Sequence, residues 1–432
     1  MAENKHHSQQ LSSNGGLTRR QFVGGLAATA TAVSLGNTAT ANAVQPMVGG
    51  ANDKVRAALE SLIHDTPEIG IQVAAYLNGK LVIDAWAGMA DPATNKPVDG
   101  DTLFMLSSTT KGLTSTLMHI LVEKHKLSYD MPIVKVWPEF GAHGKQDATL
   151  RHALSHQTGV PQTPVGFTPE WIPDWDRMCK GIADLTPMFP IGERTAYHSL
   201  NFGYINGEIL RRVDGRTIAQ FLQDELCKPL GINGAYLGVP DSELHRVAVL
   251  TDAPPAPPEY DASMVGEPAG SHVAKYFNRR EFQQASVPAS GGLFSARGLA
   301  RHYAMLAEWG TLDGVRVLPE DRIRAGMVLQ SYEMDEIYKI RAMRALGWRR
   351  SWSTGPLTTP AALGHVGGGG SFGYADPARG LGIAFSKNYF AYRTGGAVNK
   401  GHPPRTPADI VTEAVFDALG LEKHPKTRVC IV

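Results

Sequence analysis

The sequence predicts an α/β fold: an antiparallel sheet flanked by N- and C-terminal helices, with an inserted, mostly helical subdomain. Three observations lead there. Strand-prone runs occur near both ends of the chain. Helical patterns lie outside those runs. The middle, about 120–285, reads as helices and loops.

Residues 52–64 carry Val55, Leu59, Leu62 and Ile63 at helical spacing, with Asn52 as a candidate N-cap. Two apolar, β-prone runs then flank Asn78-Gly79, the strongest short hairpin signal. Leu106 to Leu121 reads as a helix with Leu113, Leu117, Ile120 and Leu121 on one face. Irregular loops are expected near Val160–Pro190 and Pro254–Glu281. Ser295 caps a helix that reaches about Trp309. Gly364–Asn388 holds two short strand-like runs around an Asp376-Pro377 turn, and Thr406–Leu419 reads as a helix. The result is an α/β lobe of about 50–115 and 285–420 and a helical lobe of about 116–284.

The 432 residues are 43% hydrophobic and 19% charged, ordinary globular composition with length enough for a large core. A formal net charge of +1 and the lack of basic runs argue against a nucleic-acid partner. Cys179, Cys227 and Cys430 are too widely spaced for a metal pair or a disulfide framework. No zinc-type motif or phosphate-binding loop occurs, so no metal or cofactor is called for.

Residues 1–43 read as a twin-arginine-type signal peptide. Arg19-Arg20 precede an apolar run from Phe22 to Leu35, and Ala41-Asn42-Ala43 offers a cleavage site. The run is too short for a stable membrane anchor. A periplasmic or secreted protein is expected, cytoplasmic if the signal is not used. Residues 44–432 then form the folded domain.

Ser108-Thr109-Thr110-Lys111 is an S-x-x-K motif at a predicted helix start. Residues i and i+3 share a helix face, so the amine of Lys111 can reach the hydroxyl of Ser108. A serine hydroxyl needs a base to become a nucleophile. A lysine among other cations loses proton affinity and can be that base. The helix N-terminus adds free N–H groups beside the reacting oxygen.

Two further segments follow in order, Leu150-Arg151-His152-Ala153-Leu154-Ser155-His156-Gln157-Thr158-Gly159-Val160-Pro161 and Pro190 to Ser199. With them the sequence resembles the class C β-lactamase-like serine hydrolases. That group takes in class C β-lactamases, D-Ala-D-Ala peptidases and family VIII carboxylesterases. The resemblance covers essentially all of 52–420. It implies Ser108 as nucleophile, Lys111 as its partner and Tyr197 as the second proton carrier, with Tyr204 as a rival tyrosine. It matches His365-Val366-Gly367 to the third motif. Gly368 then supplies, with Ser108, the backbone amides of an oxyanion hole.

Two positions depart from the family pattern. Ser199 stands where relatives carry asparagine, and His365 where β-lactamases carry lysine. Both losses weaken a lactamase reading and favour a neutral ester or lactone. Asn201 could replace the missing amide. Phe167, Trp171, Trp175 and Tyr276 lie in the two irregular loops and are candidate walls of an apolar pocket, alongside Ser199.

Gly369-Gly370-Ser371-Phe372-Gly373 also fits G-x-S-x-G, the nucleophile elbow. An elbow needs a strand–turn–helix context, and here a strand-like run, Gly380–Phe385, follows instead. The expected function is hydrolysis of esters or lactones through an acyl-enzyme on Ser108, with alcohols as alternative acceptors. The alternatives are a β-lactamase or D-amino-acid peptidase, and a non-catalytic envelope binding protein. A pure binder has no need of Lys111.

Overall fold

Alternation of side chains along one central strand decides how the sheet is covered. The computed structural model describes residues 50–254, 273–391 and 405–423. The signal-like segment 1–43, residues 255–272 of the second irregular loop and His402 lie outside the described residues.

Helix α1 (Ala51–Asp65) takes Gly50, not Asn52, as its N-cap. Asn52 turns to the sheet, and its Oδ1 accepts the Asp84 amide at 2.9 Å. Strands β1 (Gly70–Leu77) and β2 (Lys80–Asp91) form the expected hairpin. Asn78 and Gly79 are both left-handed there, with φ of 50° and 74°. A short β3 (Lys96–Pro97) pairs with β2.

Strand β4 (Phe104–Met105) leads through a 3₁₀ turn, Ser107–Thr109, into α2 (Thr110–Lys124). This helix starts later than expected and is buried on every side from Thr110 to Val122, not on one leucine face. Its polar groups find partners inside. The Thr114 hydroxyl donates to the Pro288 carbonyl at 2.6 Å, Thr116 meets His302 Nε2 at 2.8 Å, and His119 meets the Tyr129 hydroxyl at 2.6 Å.

The middle holds α3 (Leu150–Leu154), α4 (Trp175–Ala183) and α5 (Asn201–Asp214) among loops and 3₁₀ turns. It is not purely helical. Strand β5 (Ala235–Tyr236) joins a three-stranded sheet with β4, and β6 (Leu293–Phe294) lies between them. Ser295 caps α6 (Ala296–Ala307), accepting the Gly298 amide at 3.1 Å. Then come β7 (Arg349–Arg350), β8 (Leu363–Val366), β9 (Phe372–Asp376) and β10 (Leu381–Lys387). Last is α7 (Pro407–Leu419), with Thr406 and Asp409 forming a capping box.

The main sheet is seven-stranded, in the order β7-β8-β9-β10-β1-β2-β3, with every neighbouring pair antiparallel. Chain-distant strands meet at its centre, where Val73 sits opposite Phe385. Ile71, Val73 and Ala75 pack under α1 and α7, against Val411 and Phe416. Ala74 and Tyr76 point the other way, into a core shared with Leu299, Ala300 and Ala304 of α6. That second core runs on without a break into α2 and α5.

Gly382 lets α6 lie close on the sheet, because a Cβ there would come 2.3 Å from the Ala304 nitrogen. Gly382→Ala is expected to push helix and sheet apart and cost roughly 1–3 kcal/mol. A urea midpoint equal to that of the parent protein would contradict this contact.

Candidate active site

The turn before α2 is fixed from three directions. Leu106 donates its amide to the Gly292 carbonyl at 2.9 Å. The Thr110 hydroxyl donates to the Ser107 carbonyl at 2.6 Å and accepts the Gly292 amide at 3.1 Å. Ser107 is thereby held at a φ of 48°, a left-handed conformation costing roughly 1–3 kcal/mol for a residue with a side chain. Ser108 follows and lines a cavity of about 440 Å³. Lys111, one helical turn on, is 0% exposed. Its Nζ donates to Ser108 Oγ at 3.2 Å, the Ser199 carbonyl at 2.7 Å and the Ala289 carbonyl at 2.9 Å.

Tyr197 also lines this cavity. Its ring centre is 4.7 Å from Lys111 Nζ, 5.3 Å from the Arg344 guanidinium carbon and 5.7 Å from that of Arg349. His156 packs on the ring at 4.8 Å and Tyr338 at 5.1 Å. The segment 150–161 builds this support. Thr149 and His152 form the capping box of α3, and His156 adopts a φ of 62° just beyond it. His156 Nδ1 then accepts the His198 amide at 3.1 Å. His198 Nδ1 donates to the Ala196 carbonyl at 2.6 Å, and its Nε2 meets the Thr158 hydroxyl at 2.7 Å.

The glycine-rich segment is a turn between β8 and β9, so its context is strand–turn–strand. Gly367 donates to the Ser371 carbonyl at 2.7 Å, and Gly370 donates to the Gly367 carbonyl at 3.1 Å. Gly368 faces the Ser107–Ser108 turn closely, since a Cβ on it would lie 3.1 Å from Ser107 Oγ. Ser371 is buried, and its hydroxyl donates to the Leu106 carbonyl at 3.0 Å. It ties the glycine turn to the Ser108 turn and does not line the cavity.

His365 is buried, and its Nδ1 donates to the Val366 carbonyl at 2.6 Å. Burial, with help from Arg349 and Lys111, holds its ring well below the ordinary histidine range. It is a neutral imidazole 6.3 Å from the Tyr197 ring, and it does not line the cavity. No group of three His, Cys, Asp or Glu side chains among the described residues could hold a metal ion.

Residues 55–400 match the family model described as Beta-lactamase. The chain belongs to the beta-lactamase family. It is 30% identical over 338 residues to Esterase/beta-lactamase LipL of Mycobacterium tuberculosis, covering 74% of this chain and 77% of that one. A penicillin-binding protein homologue from Caulobacter crescentus superposes with a TM-score of 0.75 at 32% identity, over 87% of this chain and 99% of that one. A family VIII carboxylesterase structure gives the same TM-score, identity and coverage.

Within this beta-lactamase-family site the aromatic residues expected as walls lie elsewhere. Trp175 donates Nε1 to Glu208 at 2.9 Å and packs on Tyr204, anchoring α4 to α5. Phe167 and Trp171 pack on each other, with Arg177 over the indole. Tyr276 packs on Phe282. None of these four lines the cavity. Ser199 does not line it either, but its carbonyl holds Lys111. The Asn201 amide is committed to the carbonyls of Val160 and Gln162, both at 2.8 Å, so it replaces no lost group. The rival Tyr204 is buried, donating to the Ile172 carbonyl at 2.6 Å.

The walls are instead Tyr338, Ile340 and Arg349 on one side, and the Glu68–Lys387 ion pair on another. No local pattern marks them. Glu68 and Lys387 are 319 residues apart and meet only because β10 pairs with β1.

Five buried histidines set an acid limit on this fold. Burial lowers His119, His198 and His302 to about 3 and takes His156 and His365 well below the ordinary value. The unfolded chain therefore takes up protons first as pH falls below about 6.5. Stability from these groups is complete above that value and is lost toward about pH 3. The slope is up to about 1.4 kcal/mol per pH unit for each histidine. Urea midpoints are expected to fall between about pH 7 and pH 5, and His302→Gln is expected to flatten that slope. A midpoint independent of pH in this window would refute it.

Proposed function

We propose that this protein is a serine hydrolase of carboxylic esters or lactones, acting through an acyl-enzyme on Ser108. One observation carries the reading. A fully buried lysine, held by two carbonyls, directs its Nζ to the hydroxyl of a cavity-lining serine at 3.2 Å. Names among the relatives support it, since LipL is called an esterase/beta-lactamase and EstB of Burkholderia gladioli an esterase.

In the proposed sequence Ser108 Oγ attacks the ester carbonyl carbon as its proton passes to the Tyr197 phenolate oxygen, while Lys111 stays an ammonium. The oxyanion is received by the amides of Ser108 and Gly368. Collapse breaks the acyl–oxygen bond, and the departing alkoxide takes the proton back. Cations at 4.7, 5.3 and 5.7 Å from the Tyr197 ring favour the phenolate that takes the proton. Water then repeats the attack and frees the acid. An acceptor alcohol in its place gives transesterification. We extend the proposal to export, on the strength of the Arg19-Arg20 signal pattern. Among the described residues no helix is long and apolar enough to cross a membrane.

A fluorophosphonate should label Ser108, and a short p-nitrophenyl ester should be turned over. Ser108→Ala is expected to abolish both. Lys111→Met and Tyr197→Phe are expected to lower kcat by roughly 10²–10⁴-fold. Ser371→Ala should keep labelling and turnover. Turnover that survives Ser108→Ala and disappears in Ser371→Ala would overturn the assignment. Fast cleavage of a chromogenic cephalosporin with none of esters would favour the β-lactamase alternative.

A further inference from the structure

Glu68 stands at the junction of α1 and β1. Just past the end of α1, the Thr66 hydroxyl donates to the Leu62 carbonyl at 2.6 Å and accepts the Glu68 amide at 3.3 Å. Lys387 is the last residue of β10, where it lies opposite Ile71 of β1. Sheet pairing thus brings the Lys387 ammonium onto Glu68 Oε1, with the two side chains 5% and 4% exposed. Both residues line the cavity that holds Ser108.

The pair is incomplete. A carboxylate has two oxygens that accept hydrogen bonds, and the ammonium takes Oε1. Glu68 Oε2 is buried with no hydrogen-bond partner. A buried acceptor in that state carries the cost of lost hydration with nothing to offset it. Burial also pushes the Glu68 carboxyl up and the Lys387 ammonium down from their ordinary ranges. Stability alone does not account for such a pair, since apolar side chains of similar volume often replace one at no loss.

Its position adds a second argument. A Cβ on Gly370 would lie 4.0 Å from Lys387 Cδ, so the lysine stem runs along the glycine turn. That turn also carries Gly368, which faces the Ser107–Ser108 turn. The open oxygen therefore belongs to a wall beside the reacting serine. A carboxylate oxygen only accepts, so its partner must be a donor. Lys387 already neutralises the charge, and a second cation would be repelled by the ammonium. A hydroxyl donates one hydrogen bond and adds no charge.

We propose that Glu68 Oε2 accepts a hydrogen bond from the substrate, so that the preferred substrates are esters bearing a free hydroxyl group. The inference rests on the ester-hydrolase reading and specifies its substrate class. The hydroxyl belongs either to the alcohol part, as in a monoester of a diol, or to the acyl part, as in an ester of a hydroxy acid.

Matched pairs that exchange a hydroxyl for a methyl group separate these sources at two chain lengths. For the alcohol part, 2-hydroxyethyl acetate is compared with propyl acetate, and 4-hydroxybutyl acetate with pentyl acetate. For the acyl part, methyl 3-hydroxypropanoate is compared with methyl butanoate, and methyl 6-hydroxyhexanoate with methyl heptanoate. The readout is the kcat/KM ratio of hydroxylated to plain ester within each pair, for the full chain. At least one ratio is expected to exceed about 10 in the parent protein, the scale of a hydrogen bond to a charged group. The double variant Glu68→Leu with Lys387→Met removes the pair without leaving a lone charge, and should collapse that ratio by roughly 10–100-fold. Glu68→Gln keeps an acceptor oxygen but no charge, and should lower the ratio less, by about 3-fold or more.

If no parent ratio reaches about 10, the proposal fails whatever the variants do. A high parent ratio that persists in the double variant, or in Glu68→Gln where the double variant does not fold, also overturns it. The hydroxyl would then be recognised elsewhere in the cavity. An equal fall in kcat/KM for both members of a pair overturns it too, and makes Glu68 and Lys387 a support for the glycine turn. Labelling of Ser108 with turnover of the plain esters only removes this proposal and leaves the hydrolase reading standing. No adduct and no turnover of any of the esters removes both.

Discussion

The buried ammonium of Lys111 is the constraint on which the site depends. A charge with no water around it must be satisfied by protein groups. Lys111 meets that demand with the carbonyls of Ser199 and Ala289. Those carbonyls belong to the Tyr197 loop and to the segment leading into β6. One side chain therefore draws α2, the Tyr197 loop and the approach to β6 to a common point. The ammonium also donates to Ser108 Oγ, and Ser108 lines the cavity.

The same logic explains why α2 is a polar helix in an apolar setting. Thr110, Thr114, Ser115, Thr116 and His119 are all buried. Each hydroxyl is spent on a carbonyl or a histidine, such as Ser115 on the Lys111 carbonyl at 2.6 Å. Trp348 donates Nε1 to the Gly112 carbonyl at 3.0 Å and so brings the segment before β7 against the helix. Buried networks of this kind give up little stability when complete and fix one arrangement. That rigidity holds Ser108 Oγ at 3.2 Å from Lys111 Nζ.

Much of this was legible in the sequence, for physical reasons. The Asn78-Gly79 hairpin, the Ser295 cap and the Thr406–Leu419 helix are local devices whose residues carry their own geometry. The contact between Ser108 and Lys111 is likewise local, at i and i+3. Other expectations failed where tertiary demand won. Asn52 left its cap position to serve Asp84, and α2 hid its polar face as well as its leucines. Trp171 and Trp175 looked like pocket walls because aromatic residues in Pro-rich loops often border clefts. They serve instead to anchor helices. Tyr338, Arg349 and Lys387 reach the cavity through sheet pairing and loop paths that no short pattern encodes.

The charged and polar groups around Tyr197 are each held in a different way. His365, buried and bonded to its own neighbour's carbonyl, is neutral and serves packing beside the Tyr197 ring. Lys111, inside the helix, is fully buried and donates to Ser108 Oγ and the carbonyls of Ser199 and Ala289. Arg344 is held by Asp335. Arg349 lines the cavity, and its buried Nε has no hydrogen-bond partner.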